Sequence, residues 1–133
     1  YGQTFSELTL TTGKNSAHEE SERFYHGFVL GLIAELSNKY EITSNRESGF
    51  GRYDVMLEPY DKRADAMILE FKVHNATKER SMADTVRQAL VQIEEKKYDT
   101  VLILHGIPAD HIHKYGFAFN GKQVLIGCQE SIL

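Results

Sequence analysis

Three ionisable residues stand on otherwise apolar segments: Asp54 in Arg52-Tyr53-Asp54-Val55, and Glu70 and Lys72 in Ile68-Leu69-Glu70-Phe71-Lys72. On a strand, Glu70 and Lys72 share a face while Phe71 points the other way. Charges on an apolar strand are costly to bury unless they are paired or hold a metal. If the two segments pair antiparallel, their ends meet crosswise and both carboxylates reach one edge of the sheet. Two converging carboxylates repel, and one is driven neutral unless a cation is present. Oxygen donors of this kind suit Mg²⁺ or Mn²⁺, which keeps waters and takes phosphate oxygens. Lys72 projects into the same space, where it can orient a water or offset charge on a phosphate. These are the parts for metal-assisted attack of water on a phosphodiester. The competing reading is a cross-strand salt bridge from Lys72 to Asp54 or Glu70.

The elements that must position these residues are legible in the pattern. Ser16 to about Ser37 is the clearest helix, opened by a Ser16/Glu19 capping box and carrying an apolar stripe of Phe24, Tyr25, Phe28, Val29, Leu32, Ile33 and Leu36. Gly27 and Gly31, one turn apart, are expected to let this helix approach a sheet closely. Short strands follow at Tyr40 to Ser44 and Arg52 to Glu58, separated by a polar, Gly-rich turn. A third strand, Ala66 to Val73, lacks polar alternation at Met67-Ile68-Leu69 and reads as central, covered on both faces. Ser81 with Asp84 caps a second helix running to about Lys97, and the apolar run Val101-Leu102-Ile103-Leu104 predicts a fourth strand over Thr100 to His105. Tyr115 to Phe119 and Gln123 to Cys128 predict a hairpin turning at Asn120-Gly121. Thr9 to Gly13 is a short strand or a tail.

The bulk properties bound the rest. At 133 residues the chain is expected to be one domain, 1–133, with a core over about 16–128 and residues 1–15 a tail or part of a preceding region. It starts at Tyr1 rather than Met, as a trimmed piece of something longer would. Fifteen Lys and Arg stand against nineteen Asp and Glu, a net charge of −4, so any phosphate-facing surface must be local. A single cysteine, Cys128, leaves no internal disulfide and suits a reducing, cytoplasmic setting. No apolar run reaches membrane-spanning length, and no membrane partner is expected.

Taken together, the segments Phe24-Tyr25-His26-Gly27-Phe28-Val29-Leu30-Gly31-Leu32, Ser44 through Asp54, Ile68-Leu69-Glu70-Phe71-Lys72, Ala89-Leu90-Val91-Gln92-Ile93 and Tyr115-Gly116-Phe117-Ala118-Phe119 resemble the PD-(D/E)XK nuclease superfamily. Within it they are most similar to the branch usually attached to an AAA-ATPase-like domain. The likeness runs over roughly residues 20–126 and implies an α/β, restriction-endonuclease-like core: a mixed four-stranded sheet flanked by helices, in the order α-β-β-β-α-β plus a C-terminal hairpin. It further implies a Mg²⁺- or Mn²⁺-dependent nuclease leaving a 5′-phosphate. The Asp54 and Glu70 positions would bind metal and the Lys72 position would serve catalysis. An acid on the first helix often completes such a metal site, and Glu22 is the best match, with Glu19 and Glu20 less well placed. Gln92 matches a glutamine that lines the site. Tyr98 follows it six residues on, a longer spacing than a related branch shows, and Tyr53 stands where the nominal motif has proline.

Other residues are open to two readings. Arg46 and Arg52 flank the Gly-rich turn, as phosphate contacts or as partners of Glu47. His26 lies one turn from Glu22, either bonded to a site carboxylate or as a helix–sheet contact. His111 and His113 resemble a metal pair but lie in a loop without other ligands at suitable spacing, which favours a solvated turn. Two functions therefore compete. One is a metal-dependent nuclease acting on DNA (RNA not being set apart by the sequence), with an ATPase-like domain or a second copy as partners. The other is a catalytically silent module of the same fold serving binding, regulation or assembly.

Overall fold

The computed structural model describes residues 3–9, 17–46 and 52–129, with side chains described from Phe24 onward except those of Tyr25, His26, Arg46 and Gln129. The elements are β1 (Gln3–Thr9), α1 (Ala17–Leu36), β2 (Tyr40–Arg46), β3 (Arg52–Pro59), β4 (Ala66–Val73), α2 (Met82–Lys96), α3 (Tyr98–Leu104), a 3₁₀ turn (Ala109–His111), β5 (Ile112–Asn120) and β6 (Gln123–Gln129). The strands form one sheet in the order β1-β6-β5-β4-β3-β2. Only β4 and β5 run parallel; the other neighbours are antiparallel, so the sheet is mixed. It is wider than the four-stranded core that the family resemblance implies. Residues 3–9 join it as an edge strand, each paired with a residue of β6.

Alternation along the strands sorts the two faces. Val55, Leu57, Leu69, Phe71, Phe117 and Phe119 meet Phe24, Phe28, Val29, Leu32 and Ile33 of α1 in one core. Phe28 lies edge-on or tilted against Phe71, Phe117 and Phe119, with ring centroids 5.6–6.0 Å apart. The opposite face presents Ala66, Ile68 and Ala118 to Val86, Leu90 and Ile93 of α2 and to Leu102 of α3. Asp54, Glu70 and Lys72 fall on that second face, in phase with Met56 and Ile68.

Several sequence expectations hold in detail. Ser81 caps α2, its Oγ accepting from the Asp84 amide at 3.2 Å. β4 is central, between β3 and β5, with Ile68, Leu69 and Phe71 buried. The Ser16/Glu19 capping box of α1 lies outside the described residues.

Three expectations are overturned. Thr100 to His105 is not a strand: residues Tyr98–Leu104 form α3. A run of four apolar residues suits a buried strand or a helix with one buried face, and periodicity alone does not separate them. Both places beside β4 are taken by β3 and β5, and two parallel strands need a long crossover, which α2 and α3 supply. Only Leu102 of the run is buried, while Val101, Ile103 and Leu104 are exposed. The strand paired with β4 comes instead from the hairpin, whose loop is Gly121-Lys122 because Asn120 still pairs with Gln123. Gly121 has φ 61° at the first loop position, as in type II′ turns, whose first central residue is normally glycine. Finally, Gly27 and Gly31 do not bring α1 close to the sheet: both are exposed, and a Cβ on either would meet nothing within 4 Å. Close approach occurs at Gly116 on β5, where a Cβ would lie 2.9 Å from the Val86 carbonyl oxygen and 3.1 Å from the Ala89 Cβ.

This contrast is testable by thermal or urea unfolding. Gly116→Ala should destabilise by about 1–3 kcal/mol, because backbone must give way. Gly27→Ala should stabilise by roughly 0.5–1 kcal/mol through helix propensity alone.

Candidate functional site

Antiparallel pairing of β3 and β4 sets Asp54 directly opposite Glu70 and Arg52 opposite Lys72. The two acids are almost wholly buried, Asp54 at 2% and Glu70 at 0% exposure. Two adjacent carboxylates out of water require compensation. It comes from a residue the sequence reading passed over. Lys96, in the last turn of α2, donates from Nζ to Asp54 Oδ2 at 2.5 Å and to Glu70 Oε1 at 3.2 Å. The cross-strand bridge from Lys72 to these acids is therefore not the pairing that forms.

The next two residues complete the arrangement. Lys97 takes the left-handed conformation, φ 54° and ψ 38°, ending α2 and starting α3 along a new direction. The change of direction brings Tyr98 back to the sheet, where its hydroxyl donates to Asp54 Oδ1 at 3.0 Å and accepts from Asn45 Nδ2 at 3.2 Å. Burial, then the bond to Asp54, raises the Tyr98 pKa, which keeps the hydroxyl a donor. Tyr98 thus touches one of the paired acids despite its long spacing from Gln92. Arg52 Nη2 lies 3.7 Å from Glu70 Oε1, placing that guanidinium beside the acids. Glu70 Oε2 is buried and has no hydrogen-bond partner among the described residues.

Lys72 shares the face but is held elsewhere. Its Nζ donates to Glu79 Oε2 at 2.6 Å and to Gln88 Oε1 at 2.8 Å. Glu79, buried at 4% exposure, is the organiser of this end of the sheet. Its Oε1 accepts from the Asn75 amide at 2.9 Å and the Thr85 hydroxyl at 2.8 Å. Burial pushes the Glu79 pKa up, but the bonds from Lys72, Asn75 and Thr85 outweigh it and hold the carboxyl below its ordinary value. Gln88, Gln92 and Lys96 recur every four residues and so line one flank of α2. Gln92 lies between the residue that touches Lys72 and the one that touches the acids. Its side chain makes no hydrogen bond among the described residues. Sequence could have flagged Lys96 by this spacing, since it continues the Gln88–Gln92 row; Glu79, in a loop, carried no such signal.

The remaining candidates separate. α1 packs on the opposite face of the sheet from Asp54, Glu70 and Lys72. The side chains of Glu22, Glu19, Glu20, His26 and Arg46 lie outside the described residues, as does Glu47. His111 and His113 both face Asp65, with His113 Nε2 bonded to its Oδ2 at 2.8 Å. Half-exposed, they stand on the 3₁₀ turn and the start of β5 rather than in a loop, level with the first residues of β4 and at the opposite end from Lys72. Among the described residues no three His, Cys, Asp or Glu side chains group as a metal cage.

A mixed sheet with helices on both faces, and an acid facing a Glu-x-Lys across adjacent antiparallel strands, defines a nuclease-fold domain. The sequence model of the PD-(D/E)XK nuclease superfamily matches residues 20–129, and the chain belongs to that superfamily, whose members are generally hydrolytic nucleases using divalent metals. Comparison with curated proteins and with solved structures finds no significant match. No helix among the described residues is long and apolar enough to cross a membrane.

Two measurements test the electrostatics. Burial first, and then the Asp54 charge, push the Glu70 pKa up to about 7 against the pull of Lys96 and Arg52. Between the ordinary value of 4.5 and about 7, folded protein holds more protons at Glu70 than unfolded protein does, so this group's contribution to stability falls as pH rises through that window. The full loss is on the order of 3 kcal/mol. Relative to the parent, Glu70→Gln should therefore gain stability between pH 5 and 8 in denaturant titrations. Glu79→Ala should cost about 3 kcal/mol at neutral pH, because it strands the Lys72 ammonium and the Thr85 hydroxyl.

Proposed function

We propose that the chain is a metal-dependent nuclease hydrolysing phosphodiester bonds of DNA, with Asp54 and Glu70 holding Mg²⁺ or Mn²⁺. The observation that carries the reading is the pair of buried, directly opposed carboxylates with Glu70 Oε2 left unbonded among the described residues. A buried carboxylate oxygen without a donor is what a hard cation seeks, and two protein carboxylates suffice for Mg²⁺, which keeps several waters. Bound there, the ion would acidify a coordinated water and offset charge on the scissile phosphate.

The chain's own residues have distinct parts in this reading. Lys72, steadied by Glu79 and Gln88, supplies positive charge two residues from Glu70 on the same face. That charge would stabilise the phosphate as water adds. Tyr98 fixes Asp54 by donating to Oδ1, leaving Oδ2 as the oxygen turned to a cation. Arg52 at the rim of the acids would take a neighbouring phosphate, and Arg46 at the end of β2 the next along. Gln92 lines the same flank of α2, whereas Glu22 and His26 stand on α1, the helix of the opposite face of the sheet, and are left out of the proposed metal set. An attached ATPase-like domain and a homodimer belong to the same proposal, as does a cytoplasmic setting.

A specific observation also favours the silent-module reading: Lys96 already bonds both carboxylates. The two readings part in a cleavage assay. Purified protein with Mg²⁺ or Mn²⁺ is expected to cut plasmid or single-stranded DNA, and to lose the activity with a chelator. Asp54→Ala and Lys72→Ala should each lower the rate by at least ~100-fold. Variants that cut as well as the parent would remove the assignment, and a parent that neither cuts nor binds metal would leave the silent module.

A further inference from the structure

Lys96 occupies the position that decides how the acidic pair behaves. Its ammonium reaches Asp54 Oδ2 at 2.5 Å and Glu70 Oε1 at 3.2 Å, so it spans the two strands as a bridging cation does. Its side chain is 17% exposed, against 3% for Asp54 and 1% for Glu70, so the ammonium closes the acids off on the side where α2 ends. It is also held from behind. Lys96 is the last residue of α2, and the left-handed Lys97 and the Tyr98–Asp54 bond fix that helix end to the strand carrying one of the acids. Asn45 Nδ2 donates to the Tyr98 hydroxyl, which leaves that hydroxyl's own proton for Asp54. Every carboxylate oxygen of the pair is thereby engaged except Glu70 Oε2.

We propose that Lys96 is an internal competing cation: it holds Asp54 and Glu70 in register, and a divalent ion binds the pair only by displacing its ammonium. This rests on the metal-site reading above. An ion bridging both carboxylates needs oxygens that Lys96 now bonds, and a dication beside an ammonium in a buried site is repelled. Lys96 thus sets the threshold concentration of metal at which the site fills, as a positioning residue rather than one that touches the reacting atoms. The lysine also has somewhere to go. Its flexible four-carbon stem, already 17% exposed, lets the ammonium swing outward into solvent.

The test is binding, read without reference to activity. Mn²⁺ is titrated calorimetrically into the parent and into Lys96→Met, which keeps the length of the side chain and removes the charge. The variant should bind Mn²⁺ about tenfold tighter or better, and its melting temperature should rise more on adding Mn²⁺ than the parent's. A second measurement needs no variant: amine-acylating reagent is applied to the parent with and without saturating Mn²⁺. Labelling of Lys96, read by peptide mass spectrometry, should increase severalfold with the metal while that of the exposed Lys97 stays constant. Mn²⁺ binding by Lys96→Met alone would support the competition in its strongest form. Equal or weaker binding by a folded Lys96→Met, or unchanged Lys96 labelling in a parent that binds Mn²⁺, would overturn it while leaving the metal site standing. Absence of binding in both proteins would overturn the metal site and this proposal together.

Discussion

Two carboxylates buried side by side at Asp54 and Glu70 are the constraint to which this fold is built. Nothing about β-pairing favours that juxtaposition; like charges across a ladder are unfavourable. The surroundings answer it with cations from two directions, and hold a third nearby on a partner of its own. Lys96 comes from the end of α2, Arg52 from β3 one pleat along, and Lys72 stands two residues from Glu70, itself neutralised by Glu79. The cluster is therefore a network of alternating charge, and removing one member strands the next. Such networks are poor sources of stability and good specifiers of geometry.

The two faces of the sheet divide the labour. The α1 face is an aromatic and aliphatic core, with Phe28 wedged among Phe71, Phe117 and Phe119. Burial there anchors β3 and β4 rigidly. The α2 face is apolar at the level of Ile68 and Ala118 and charged at the level of Asp54, Glu70 and Lys72. Rigid strands bearing charged residues near their ends hold chemistry more accurately than loops do. Gly116 tightens this further, since its missing side chain lets the backbone of α2 lie directly on β5. That seat fixes the height at which Gln88, Gln92 and Lys96 pass over the acids.

α3 shows how tertiary constraint reinterprets a local signal. Val101-Leu102-Ile103-Leu104 has the composition of a buried strand, yet it forms a helix that buries Leu102 alone. Sheet positions on both sides of β4 are filled, so the run has no ladder to join. The short helix serves instead to turn the chain after Lys97 and carry Tyr98 to Asp54.

Much was determined by the sequence itself. Asp54, Glu70 and Lys72 declare themselves because charges on apolar strands contradict their surroundings. Period-two alternation puts all three on one face, and the central place of β4 follows from its unbroken Met67-Ile68-Leu69 run. The helix cap at Ser81 is local chemistry and equally legible, as is the existence of the hairpin, whose loop falls one residue later than its Asn-Gly signal suggests. What only the tertiary structure decided is which charges answer which. Lys72 turns to Glu79 and Gln88, while Lys96, far along the chain, takes the acids. The partner of a buried charge is set by which helix end passes over it, and that height depends on packing at Gly116 and on one left-handed residue, Lys97. Neither the close approach nor the reversal has a period or a spacing in the sequence, because each arises from contacts between elements rather than within one.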